Sequence, residues 1–320
     1  MTLQTIAHSE TLIESSQKFN PVRLVDRIFY WVTVAMAIAI GVILLWITWS
    51  LLSIAFPAIA KFNIGFLFST SWNPVQDSFG ALPQITGTIV SSIIALLFAV
   101  PLGVGVAVFL SENFLPSKLQ TPLAFVVELL AAVPSVVYGM WGIFVLVPFI
   151  LPGLQTIHNL FGWFPLFSTA PSTRQMFATA LVLAIMILPT IIAISRDSLL
   201  SVSPQLRQGA YGLGATRWET LVQVIVPSAL SGIIGSVMLA LGRALGETMA
   251  AAMLIGNSNR ISASLFAPAS TISAMIANQF AEASGLQKSS LFYLALVLMV
   301  LTLVVNVLAE IIVSKFQQVE

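Results

Sequence analysis

Six stretches of this 320-residue chain are long and apolar enough to cross a bilayer, where a helical span needs about 20 predominantly apolar residues. They are Ile28–Phe56, Gln84–Leu110, Leu123–Leu151, Met176–Ser195, Ser228–Leu254 and Leu291–Val313. Lipid offers the backbone no hydrogen-bond partner, so each run is expected to be a helix and the chain an all-α membrane protein with six transmembrane helices. Composition agrees: 58% of residues are hydrophobic and 8% charged, against roughly 25% charged in soluble domains. The third span is expected to start with Thr121 as N-cap and Pro122 at the first helical position. The first run is longer than the roughly 7–15 apolar residues of a signal peptide, so it reads as an uncleaved first helix.

Several function classes are excluded. The net charge is +1 with no basic block, so nothing supports nucleic-acid binding. There is no cysteine, hence no disulfide, thiolate metal site or cysteine nucleophile. His8 and His158 lie in separate polar segments and suggest no metal cluster. No G-x-x-x-x-G-K-[ST] loop is present, so ATP cannot be held by a Walker A site of this chain. Lys and Arg in the flanks set orientation. One set of loops carries Lys18, Arg23, Arg27, Lys118, Arg196, Arg207, Arg217 and Lys315, the other Lys61, Arg174, Arg260 and Lys288. The richer set is expected inside, with both termini cytoplasmic.

The remaining cation, Arg243, lies with Glu247 inside the fifth apolar run. An intramembrane charge costs from about 3 to about 10 kcal/mol, depending on how far water and snorkelling relieve it, and by default marks a functional site. On one continuous helix the two residues share a face, and Gly242 and Gly246 would let another helix or a narrow pore come close. Arg243 suits an oxyanion, because its planar fork pairs bidentately with phosphate-like groups. Glu247 would repel an anion, so it is expected to neutralise Arg243 in the empty pathway or to gate it. The plain alternative is an ion pair that staples helices. A proton-coupled anion transporter, an ion channel, or a membrane enzyme using Glu247 as a base would also fit these two charges alone. Glu128, about two turns into the third span, is expected near a helix N-terminus, where the dipole favours a carboxylate; a structural role suits it as well as a pathway role.

The segment 203–227, before the fifth span, is too polar to insert. Pro204 and the glycines at 209, 212 and 214 predict two short helices broken by a glycine turn. Trp218, Leu221, Val222 and Ile225 form an amphipathic stripe in the second, fitting either a membrane-surface helix or a docking element for a cytoplasmic protein. On the opposite side, Ile272, Met275, Ile276 and Phe280 after Ser270 and Thr271 predict an amphipathic helix. It could receive an external partner or pack on its own bundle.

The segment 203–227 resembles the coupling motif of ABC importer permeases, E-A-A-x-x-x-G followed nine residues later by I-x-L-P. It stands here as Gln208-Gly209-Ala210, Gly214 and Val224-Ile225-Val226-Pro227, with Gln208 replacing the acidic residue and Gly209 the first alanine. The runs Glu128–Gly139 and Gly242–Ala250, with Ile255-Gly256-Asn257, are similar to the phosphate-specific permeases, in particular the PstC-type subunit. The resemblance covers about residues 84–314 and implies a MetI-like permease domain there. It leaves residues 1–83 as cytoplasmic tail, first helix and external loop, and 315–320 as a cytoplasmic tail. It further implies a non-catalytic, cofactor-free subunit of a bacterial plasma-membrane importer of inorganic phosphate. Its implied partners are a PstA-type sister permease, a PstB-type ATPase dimer that binds ATP and Mg, and an external PstS-type binding protein. Arg243 and Glu247 match the family's pathway residues. Gln208, Gly209, Ala210, Gly214, Arg217, Trp218, Glu219 and Pro227 fall in its ATPase-coupling element. Sulfate or molybdate remains an alternative cargo, since one arginine does not separate tetrahedral oxyanions.

Overall fold

The computed structural model describes residues 21–112, 114 and 116–317. Residues 1–20 and 318–320, parts of the expected N-terminal tail and of the expected 315–320 tail, lie outside them. Two compact units divide at Ser53 and Ile54. Helix α1 (Pro21–Phe62) starts in the first unit, where Leu45, Trp46 and Trp49 expose about 70% of their surface. Such an apolar exterior suits lipid.

In the second unit, α2 (Gly65–Phe68) and a two-stranded hairpin, β1 (Trp72–Asn73) and β2 (Ser78–Phe79), lead into α3 (Leu82–Ser111). Phe66, Phe79 and Ala81 are buried with Ile272, Met275, Leu291 and Leu294. The loop ahead of residue 84 is therefore packed into the same unit as the rest. A ridge of α3 carries Gly87, Ser91, Ala95, Ala99, Gly103, Ala107 and Ser111 at strict four-residue spacing, winding around the helix and buried throughout. Helices in lipid associate by close van der Waals contact, and such a small-residue ridge lets backbones approach. A Cβ at Gly103 would lie 2.7 Å from Ile191 Cγ2.

The third span departs from expectation. Helix α4 (Ser117–Ala131) stops before Pro134, and α5 (Ser135–Trp141), a π-turn over Gly142–Leu146 and α6 (Val147–Phe161) follow. The membrane-length helix is Ser135–Phe161, not Leu123–Leu151. Proline disfavours helical geometry in the residue before it, so the apolar run is cut at 132–134. Thr121 is not an N-cap: α4 begins after Pro116 and contains Pro122 in its interior.

Helix α7 (Met176–Leu200) is the most enclosed span, 61% of its most apolar stretch being buried. Its Ala178, Val182, Ile187 and Ile191 join Ala95 and Ala99 in the main core. Next come α8 (Pro204–Gly212), α9 (Arg217–Thr220), a π-turn over Leu221–Ile225 and α10 (Val226–Ser228). The fifth span also departs from a single helix. The stretch Arg217–Ser228 meets α11 (Leu230–Gly246) at a 64° bend, and α11 ends at Gly246 before a short α12 (Met249–Leu254). Ser195 and Ser236 hydroxyls meet at 2.9 Å between α7 and α11. Helix α13 (Ile272–Gln279) has the expected N-cap, with Thr271 Oγ1 accepting from the Ala274 amide. Its Ile272 and Met275 are buried in its own bundle. The last helix is α14 (Gly285–Gln317). Among the described residues, five helices are long and apolar enough to cross a membrane, six if the bent pair is one span.

Candidate functional site

Arg243 sits in the last turn of α11, half-buried. A cation is favoured there by the helix dipole. It lines an open cavity of about 860 Å³ between α7, α11 and α14. The α11 wall includes Ser231, Gly235 and Gly242, and a Cβ at either glycine would meet nothing within 4 Å. Small residues thus widen the cavity instead of seating a helix of this chain. Between Ser231 and Arg243 the cavity follows α11 for about 18 Å at 1.5 Å per residue, more than half of a hydrocarbon core of about 30 Å. Arg243 Nη1 donates a long hydrogen bond, 3.5 Å, to Thr190 Oγ1 of α7, leaving most of its donors for another acceptor.

Glu247 does not face Arg243 along one helix. Its backbone is extended (φ −65°, ψ 126°), and its Oε1 accepts from the Ala250 amide at 3.1 Å, satisfying a donor at the open start of α12. Its carbonyl accepts from Ser273 Oγ at 2.6 Å, tying the joint to α13. The acid that shares the cavity with Arg243 is Glu310 of α14, with Asn306 one turn before it. Sequence reading missed Thr190, Asn306 and Glu310. The signal for Glu310 was present: it is a carboxylate within the sixth apolar run, open to the same cost argument as Arg243.

Glu128 lies in the last turn of α4 and is exposed. The dipole argument therefore fails for it, because a helix C-terminus disfavours a carboxylate. The two motif segments around Arg243 do meet. A Cβ on Gly139 of α5 would stand 2.8 Å from Met253 Sδ and 3.2 Å from Ala250 Cα. Gly256 combines a left-handed φ of +91° with close approach to Pro268, so only glycine suits that turn.

The segment 203–227 forms the two short helices and glycine turn expected of it, with Gly214 at φ +89°. Gln208, Gly209, Arg217, Trp218 and Glu219 are exposed; Ala210 and Pro227 are half-buried. The apolar stripe divides: Leu221 and Ile225 are buried in the bundle, whereas Trp218 is 68% and Val222 47% exposed, and Leu213 in the preceding turn is 92% exposed. Burying these exposed side chains would require an occupant of this face. Glu219 is engaged locally. It completes a capping box with Thr216, its Oε2 accepting from the Thr216 amide at 2.8 Å and from the hydroxyl at 2.7 Å. Those bonds hold its carboxyl below the usual carboxylate range. Among the described residues, no group of three or more His, Asp or Glu could hold a metal ion.

Comparison with known proteins places this arrangement. The sequence profile of the family described as "Binding-protein-dependent transport system inner membrane component" matches residues 99–318. The "Phosphate transport system permease protein PstC" of Haemophilus influenzae is 44% identical over 96% of this chain and 99% of that protein. Its namesake from Mesorhizobium japonicum is 48% identical over 90% and 89%. Among solved structures, a bacterial ABC transporter involved in import of the acidic polysaccharide alginate aligns with TM-score 0.53 at 17% identity, over 83% of this chain and 96% of that one. An inward-facing MetNI methionine ABC transporter aligns with TM-score 0.53 at 16% identity, over 74% and 94%. At those identities the structural likeness establishes the fold, which is MetI-like. The chain belongs to the family of binding-protein-dependent transport system inner membrane components, and within it to the PstC-type permeases.

Proposed function

We propose that this chain forms half of the membrane pathway of an ATP-driven importer of inorganic phosphate in a bacterial plasma membrane, with both termini cytoplasmic. Its partners are a PstA-type sister permease, a PstB-type ATPase dimer that supplies ATP and Mg chemistry, and an external PstS-type binding protein. The observation that carries this reading is Arg243: a guanidinium with free donors on a long membrane cavity, in a chain whose near relatives are named for phosphate transport.

Phosphate entering that cavity exchanges hydration for the arginine fork, a charge-assisted contact of about 1.5–3 kcal/mol. One such contact holds the anion without trapping it, as conduction requires. Glu310 in the same cavity opposes tight anion binding and favours release. Glu247 acts at the α11–α12 joint: it caps α12 in this state and becomes available to Arg243 when the joint straightens. The exposed face of 203–227, with Leu213 and Trp218 as anchors, docks the ATPase, so that nucleotide-driven closure moves α7 and α11. Residues 84–314 form the permease domain.

The test is labelled phosphate uptake into vesicles holding the reconstituted four-component complex. ATP-dependent uptake that unlabelled phosphate suppresses and sulfate does not supports the reading. Uptake that proceeds without ATP, driven by a proton gradient, replaces it with the proton-coupled alternative.

A further inference from the structure

The coupling segment is bolted to the bundle at a point that no motif marks. Arg207, in the middle of α8, places Nη1 2.6 Å from Glu112 Oε1, the residue that caps the end of α3. Its Nη2 donates to the Leu199 carbonyl in the last turn of α7 at 2.8 Å. Both side chains are about four-fifths buried or more, 21% and 13% exposed. No other ion pair joins two described side chains. One guanidinium therefore ties three elements: the coupling helix and the ends of the two most intimately packed spans, α3 and α7. Gln120 of α4 adds a bond from its amide to the Leu110 carbonyl beside the same corner.

We propose that Arg207 and Glu112 are positioning residues for transport: they form a rivet through which movement of the coupling helix reaches α3 and α7 together. The polypeptide already links α8 to α7 through residues 201–203, but α3 has no such covalent route to the coupling helix. Without the pair, α8 pivots on its own connection, and a push from the ATPase is lost before it reaches α3. The forked geometry matters. Lysine could neutralise Glu112, but as a point charge it lacks the two-armed fork that reaches the Leu199 carbonyl at the same time. A contact worth having for shape and transmission need not add net stability, so the pair is read by coupling and not by melting temperature.

This inference rests on 203–227 docking the ATPase, and the experiment separates the two. Phosphate transported per ATP hydrolysed is measured in the reconstituted complex for Arg207→Lys, Glu112→Gln, the two combined, and a deletion of Gly209–Thr216. Glu112→Gln keeps the side-chain shape, so assembly is retained, but removes the charge that holds the Arg207 guanidinium. Each single variant is expected to lower the ratio at least about fivefold, the lower end of a typical coupling between sites. The double variant should be no worse than either single one, because both break one link. The deletion should abolish coupled hydrolysis. Single variants with ratios within twofold of wild type, beside a deletion that abolishes coupling, overturn the rivet alone. A deletion that leaves coupling intact overturns the docking reading and the rivet with it.

Discussion

Glu247 leaves the helix that carries Arg243. Although four residues apart, the two do not pair: α11 stops at Gly246, and the Glu247 carboxylate accepts from the Ala250 amide instead. The separation gives each a distinct task, Arg243 as the cation of the cavity and Glu247 as the anion of a joint.

Replacing Glu247 divides those roles. Glu247→Gln keeps an acceptor for Ala250, so thermal unfolding in detergent should change by no more than about 0.5 kcal/mol, whereas Glu247→Ala loses a cap worth about 1 kcal/mol. If the charge gates Arg243, the Gln variant nevertheless loses at least about tenfold in phosphate uptake, equivalent to about 1.4 kcal/mol. Normal uptake by that variant would reduce Glu247 to a cap.

Glu310 should act on release. Glu310→Lys gives the cavity two cations, so phosphate is held too well and kcat falls while KM does not rise. Saturation curves with phosphate-loaded binding protein decide this. A raised KM at unchanged kcat would place Glu310 at entry instead.

Helix α9 should respond to acid through Glu219. The folded-state carboxyl is held below its unfolded value by Thr216, so it contributes stability that is present above the unfolded pKa of about 4.3 and is lost as pH falls through the lower folded value. Hydrogen exchange of 216–221, corrected for intrinsic rates, should keep constant protection from pH 8 to about 5 and decline progressively as pH falls below the unfolded value. Glu219→Gln should flatten that dependence. A wild-type segment equally protected at pH 3 would contradict the capping account.

Gly214 is a further sensitive point. At φ +89°, an alanine there costs about 1–2 kcal/mol of backbone strain, although nothing crowds its side. Gly214→Ala is thus expected to lower ATPase binding to the complex about tenfold by displacing Trp218, as read by co-purification titration. Unchanged binding would show that the turn geometry is not what presents the anchor.

Much of this was legible in the chain. Apolar length located α1, α3, α7 and α14, because lipid demands continuous helix, and the proline and glycines of 203–227 marked the short helices α8 and α9. Apolar length could not locate breaks inside a run. The cut before Pro134 and the stop at Gly246 depend on local geometry and on tertiary partners such as Ser273, and both fall where hydropathy is unbroken. Glu310 escaped because a single carboxylate near a span's end resembles a flank until α11 is seen opposite it. The i+4 row from Gly87 to Ser111 was readable as a packing ridge, but its partners, Ser270 beside Gly87 and Ile191 of α7 beside Gly103, were not.

The account turns on Arg243 as the phosphate contact, and Arg243→Gln tests it most directly. In vesicles with the complex assembled at wild-type levels, initial phosphate uptake should fall about ten- to hundredfold, the loss of one charge-assisted contact of about 1.5–3 kcal/mol. Uptake within twofold of wild type would contradict the account.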